Sequence, residues 1–388
     1  MHINDISEQS LRRRRGEKWT QYPADVLPAW VADMDYRVAD PIREALNERI
    51  AAGDLGYPVS PARSGLRELF CERVAARFGW AISAQQVVVI NDVVQGLYLA
   101  LQTFSEPGDG VIIQTPIYPP FLKAAKQTGR RAVVCPLQAG RSAFEIDFDQ
   151  FEQAIDASTR VIALCNPHNP CGRAFSREEL ERIAEIAVRH DLVIVSDEIH
   201  ADLVLDDTAH IPIASLSDAV AQRTLTLMSA SKAFNIAGLC MAFAHFGSAE
   251  LQARFERIPG HSRGGTNTLS VAAVTAAWRE AQDWQDEVLQ TLRNNRARVA
   301  AFVAAHWPDV RHFPPQATYL AWLDMRQLKL PTAPQAFLLE HARVALSDGK
   351  AFGPEGEGFV RLNFATSPDI LEQILLRMQT ALDVYAGK

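Results

Sequence analysis

Seven short apolar runs recur between residues 86 and 246. They are Gln86–Ile90 (QVVVI), Gly110–Thr115 (GVIIQT), Arg131–Leu137 (RAVVCPL), Arg160–Cys165 (RVIALC), Asp191–Ser196 (DLVIVS), Thr224–Ser229 (TLTLMS) and Met241–Phe246 (MAFAHF). They are rich in β-branched residues and apolar on both faces. Strands covered by helices on both sides have this pattern, so the runs predict a mostly parallel sheet. The segments between them carry helix signals. Ser176–His190 (SREELERIAEIAVRH) opens with Ser176 and Glu179 in capping-box spacing and continues as a 3.6-residue apolar stripe. The alternation predicts an α/β layered fold.

After Trp284 the pattern changes. A long polar helix over 286–307 leads into PDVRHFPPQATYLAWLDM, a further helix and a last short strand, GFVRLNFA. This reads as a separate, smaller α+β domain. The expected division is an N-terminal segment, 1–40, packing with the small domain, a large domain, 41–283, and the small domain, 284–388. A chain of 388 residues suits one large and one smaller core.

Composition narrows the classes. At 48% hydrophobic and 22% charged, the chain is ordinary for a globular protein. A net charge of −7 argues against broad nucleic-acid binding. The run Arg12–Arg15 is the local exception and reads first as a solvated or interface-facing face. Five scattered cysteines without a CxxC suggest reduced thiols in a cytoplasmic protein. The start shows no apolar leader, and no run approaches the ~18 residues of a membrane span.

In open α/β sheets ligands sit beyond the carboxyl ends of the strands. There the chain places Asn91–Gly96 at a helix start, Tyr118 after Pro116, the run NPHNPCGR (Asn166–Arg173), the run DEIH (Asp197–His200), and Ser231–Lys232. Lys232 is one of only seven lysines among 39 basic residues, so surface charge explains it poorly. An amine, a carboxylate, an aromatic ring, an amide and a helix N-terminus fit pyridoxal 5′-phosphate. The amine forms a Schiff base with the aldehyde. A buried carboxylate, with Asp197 the candidate, keeps the pyridine nitrogen protonated. Backbone N–H groups at Val93 and Val94, with Ser229 and Ser231, can hold the phosphate. Tyr118 can stack on the ring, and the Asn166 amide can bond its phenolic oxygen.

In order and spacing, NPHNPCGR, SDEIHADLVL and SASKAFNIAGL resemble the fold-type I, class I/II aminotransferase superfamily of PLP-dependent enzymes. With KW at 18–19, WVADMDY at 30–36, GYP at 56–58 and the histidine after SDEI, the chain is similar over its whole length to the MalY/PatB-type cystathionine β-lyases. The resemblance implies that Lys232 is the Schiff-base lysine, Asp197 the pyridine-nitrogen partner, Asn166 the cofactor-oxygen ligand and Tyr118 the stacking ring. It puts Ser229, Val93 and Val94 in the phosphate cup. It implies that Tyr57 reaches the neighbouring subunit's phosphate in a homodimer, and that Arg361 holds the substrate α-carboxylate. His200 either bonds the cofactor or supports a residue that does. Two positions depart from the pattern: Asn91-Asp92 stands where a glycine-containing turn is usual, and Ala233 replaces a hydroxyl residue.

The expected activity is β-elimination from L-cystathionine or a related L-cysteine S-conjugate. An aminotransferase with the same cofactor is the nearest alternative. A serine hydrolase using Ser262 in GHSRG is the alternative of another class; it requires a strand before the motif and a helix directly after it. The acids around Asp197–Asp207 fall on two faces of an extended segment, which argues against a metal site.

Overall fold

The computed structural model describes residue 3 and residues 6–387. Residues 1, 2, 4 and 5 of the expected N-terminal segment, and residue 388 of the expected small domain, lie outside the described residues. Among the described residues, seven strands form the main sheet. From one edge to the other they are Val87–Ile90, Ala242–Phe246, Thr224–Met228, Val193–Asp197, Thr159–Cys165, Gly110–Ile113 and Arg131–Val134.

Each apolar run contributes one strand. The interior strands are buried along nearly their whole length because helices cover both faces. The sheet is mostly parallel, as expected, with one strand the exception. Ala242–Phe246 runs antiparallel to both of its neighbours. The segment 229–241 contains no helix longer than the single turn Ala237–Leu239. A parallel crossover is usually made by a helix packed on the sheet; without one here, the chain doubles back.

The helix Arg177–Arg189 carries the expected capping box, with Ser176 and Glu179 each bonded to the other's backbone. The long polar helix spans Gln282–His306. Beyond it lies a second, four-stranded antiparallel sheet in the order Arg311–His312, Leu320–Asp324, Phe359–Asn363 and Ser347–Asp348. The strand Leu27–Pro28 pairs in parallel with Val344–Ala345. The Phe359–Asn363 strand and the 30–36 loop thereby meet the carboxyl rim of the main sheet. No helix among the described residues is long and apolar enough to cross a membrane.

Candidate active site

The rim encloses a cavity of about 200 Å³. Nine of the eleven cofactor and substrate candidates named above line it: Val93, Val94, Tyr118, Asp197, His200, Ser229, Ser231, Lys232 and Arg361.

Lys232 follows the Thr224–Met228 strand, and its Nζ donates to the Ala32 carbonyl at 2.9 Å. The Tyr319 hydroxyl donates to the same oxygen at 3.0 Å. Asn235 holds this loop against the lysine segment. Its Oδ1 accepts from Met34 N and its Nδ2 donates to Met34 O, both at 2.9 Å. Asn235 has φ 56, a left-handed conformation that asparagine tolerates better than most residues. Behind the loop, buried Lys18 pairs with Asp35 at 2.9 Å, and Trp19 Nε1 donates to Asp35 at 2.7 Å. The KW and WVADMDY stretches therefore form one buried cluster that shapes the cavity wall. Burial lowers the Lys232 pKa; Asp33 and Asp197 oppose this and Arg361 adds to it. A lowered pKa makes the free amine, the nucleophilic form, more accessible.

Asp197 ends its strand, fully buried, and accepts from Ile199 N at 3.0 Å. Burial pushes its pKa up to about 7; Glu198 adds to the shift, while the Ile199 N–H and Lys232 oppose it. A raised folded-state pKa contributes stability below the unfolded value, near 4, and loses it as pH rises through about 7. Without cofactor, Asp197→Asn is therefore expected to stabilise the chain above pH 7, by at most about 4 kcal/mol. The gain should fade below pH 4. Urea titrations at the two pH values check this; equal stability of both proteins above pH 7 would refute it.

Burial pushes the His200 pKa down to about 3, helped by Lys232 and Arg361, so its imidazole is neutral. Its Nδ1 is buried without a partner. Arg361 lies in the Phe359–Asn363 strand. It donates to Asn169 Oδ1 and the Trp30 carbonyl, each at 3.0 Å, and to Ser347 Oγ at 3.2 Å. Burial lowers its pKa to about 10, which leaves it cationic at neutral pH. Burial also raises the Tyr118 pKa, so its phenol stays protonated at neutral pH.

The helix Val93–Phe104 points its N-terminus at the cavity. Asp92 caps it, with Oδ1 accepting from Gln95 N at 2.7 Å, so this acid is partly spent on the helix itself. The first N–H groups of a helix have no intrahelical partner, and here they belong to Val93 and Val94. Gly96 lets the helix approach the sheet, since a Cβ there would sit 2.7 Å from the Ile90 side chain.

Two expectations change. Asn166 is not in the wall: its Oδ1 accepts from Phe175 N at 3.0 Å. Asn169, three residues on in the same motif, lines the cavity instead. Both asparagines precede a proline, and nothing in the motif separates them; contact with Arg361 does. Ser229 lines the cavity, but its hydroxyl donates to Met241 O at 2.7 Å and accepts from Ser231 N at 3.0 Å. Ser231 is thus the hydroxyl left to donate inward. Tyr57 is fully exposed and outside the wall of its own chain's cavity. Sequence reasoning missed Asn169, Asn235 and Tyr319; the only available signal was their place in or near the quoted motifs.

Ser262 sits exposed in the turn Gly260–Arg263, after a helix and Pro259 rather than after a strand. It is not a nucleophile elbow. Among the described residues, no group of three His, Cys, Asp or Glu side chains is placed to hold a metal ion.

The family profile described as aminotransferase class I and II matches residues 33–377. The chain belongs to that family. It is 38% identical over 361 residues to cystathionine beta-lyase PatB of Bacillus subtilis, covering 92% of this chain and 93% of that one. The crystal structure of OvoB superposes with a TM-score of 0.93 at 40% identity, covering 98% and 99% of the two chains. Cystalysin from Treponema denticola, whose structure contains pyridoxal 5′-phosphate, superposes with a TM-score of 0.93 at 29% identity and 99% coverage of both. The residues present fit that cofactor. A half-buried amine and a buried acid share one wall, a helix N-terminus opens into the cavity, and His200 Nδ1 and Arg361 Nε lack partners.

Proposed function

We propose that the protein is a PLP-dependent carbon–sulfur β-lyase. It converts L-cystathionine or a related L-cysteine S-conjugate to a thiol, pyruvate and ammonia. The observation that carries this reading is the convergence of Lys232, Asp197 and Arg361 on one cavity in a chain so similar to a cystathionine β-lyase.

When bound, pyridoxal phosphate supplies the electron sink for the pair released at Cα. Lys232 Nζ attaches the cofactor, takes the Cα proton and returns a proton to the departing sulfur. Asp197 keeps the ring nitrogen protonated. The N–H groups of Val93 and Val94, with the Ser231 hydroxyl, hold the phosphate. Tyr118 packs on the ring face, Asn169 takes the role first expected of Asn166, and neutral His200 lies beside the acid. Arg361 grips the substrate α-carboxylate with its two Nη groups.

The division of labour follows the expected domains. Residues 41–283 hold the cofactor, while 1–40 and 284–388 bring the Trp30–Ala32 loop and Arg361 to the substrate. The exposed Tyr57 serves the cavity of a second copy in a homodimer, and the exposed Leu55 and Val59 beside it suit burial there. Five unpaired cysteines suit the reducing cytoplasm.

The test mixes purified protein with L-cystathionine, without a keto acid, and follows pyruvate and visible absorbance together. Catalytic pyruvate from a yellow protein is expected. Turnover only after a keto acid is added would make it an aminotransferase. A protein that stays colourless with added pyridoxal phosphate would sink both. Light scattering on the same sample should give a dimer; a fully active monomer would remove Tyr57 from the site.

A further inference from the structure

The residue after Asp197 is also an acid, and the cavity does not use it. Glu198 is fully buried, and so is its partner His210, whose Nε2 lies 2.7 Å from Glu198 Oε2. The other carboxylate oxygen accepts from Ser196 Oγ at 2.9 Å and from Ile213 N at 3.3 Å. Glu198 is absent from the cavity wall and lies instead in a small pocket behind it, beside Arg73, Phe78 and Trp278.

Two consecutive buried carboxylates are a costly arrangement, because each charge is desolvated and repels the other. Three groups around Glu198 nonetheless hold it in place. His210, Ser196 and the Ile213 N–H can all donate to it. Arg73 is occupied by Asp202 at 2.8 Å. Asp197 faces Lys232, Tyr118, Cys165 and the Ile199 N–H on the other side. Of these, Lys232 is the cation, and it opposes the rise in the Asp197 pKa. A proton on the cofactor's ring nitrogen would add a cation beside the two acids.

We propose that Glu198, anchored by His210, is a second carboxylate behind Asp197 that helps hold the cofactor's ring nitrogen in its protonated, electron-withdrawing form. Glu198 acts through Asp197 as a positioning and charge-setting residue, and His210 fixes where that charge sits. This inference rests on the PLP-dependent reading above.

The experiment loads the full chain with pyridoxal phosphate labelled with ¹⁵N at the ring nitrogen and follows its chemical shift as pH is raised. In Glu198→Gln the nitrogen is expected to lose its proton about one pH unit lower than in wild type. A tenfold change in the protonation constant is the order one unit charge exerts at an effective dielectric near ~20. His210→Phe removes the donor that keeps buried Glu198 ionised, so the carboxyl takes up a proton and the titration should shift the same way. His210→Gln keeps an N–H donor and should stay near wild type. If Glu198→Gln does not accumulate as folded holoenzyme, His210→Phe carries the test. A purely structural role would change melting temperature and leave the ring titration alone, so variant curves superposing on wild type overturn the proposal. A wild-type chain that takes up no cofactor would instead overturn the proposed function, and this inference with it.

Discussion

Lys232→Ala is expected to abolish pyruvate release from L-cystathionine, with kcat down by roughly 10³-fold or more. The variant loses two functions together. A positioned general base alone contributes ~10²–10⁴, and holding base and Cα–H in one geometry adds to that. Residues that serve several steps give losses that do not add, so the full effect is read on the single variant. The structure makes the lysine hard to replace. It is half-buried, its pKa is lowered by desolvation, and its Nζ is held 2.9 Å from the Ala32 carbonyl. A surface lysine diffusing in cannot reproduce that placement. Borohydride reduction followed by mass spectrometry provides the second readout. The cofactor's mass is expected on Lys232 in wild type and nowhere on the variant. A variant with wild-type turnover would end the assignment.

Arg361→Lys tests the other end of the substrate. It is expected to lower kcat/KM by about 10²-fold, mainly through KM, while cofactor absorbance stays as in wild type. Lysine keeps the charge but loses the planar pair of N–H arms that matches a carboxylate. Truncation to Ala should cost more. Removing one member of a buried, hydrogen-bonded charge pair costs about 2–5 kcal/mol, and Asn169, Trp30 and Ser347 would also lose a donor. Steady-state kinetics with spectrally matched holoenzymes decide it. An unchanged KM in both variants would make Arg361 a purely structural cation that ties the small sheet to the rim.

These two residues also show how differently parts of the site were legible. Lys232 could be singled out from its surroundings in the chain, as a rare lysine in a Ser/Ala turn after a buried run. Arg361 came only through resemblance, because its partners lie far away in sequence: Asn169 is 192 positions earlier. The departure at Asn91-Asp92, which looks unfavourable for a phosphate, becomes intelligible once Asp92 is seen capping Gln95. The Glu198–His210 pair has no sequence signature beyond an acid following an acid.

What the chain determined by itself is local. Apolar runs placed all seven strands of the main sheet, and side chains four residues or fewer apart closed the Ser176 capping box, because those interactions need only the neighbouring backbone. Order along the chain also put Asp197 and Lys232 at strand ends, which is where a doubly covered sheet presents its chemistry. Tertiary structure decided the rest. It turned Ala242–Phe246 antiparallel, chose Asn169 over Asn166, committed the Ser229 hydroxyl to Met241 and left Tyr57 outside its own cavity. Each outcome depends on which distant segment arrives opposite a given side chain. Periodicity and spacing record how a residue relates to its neighbours along the chain. Burial, charge and hydrogen-bond partners belong to the neighbours it meets across space.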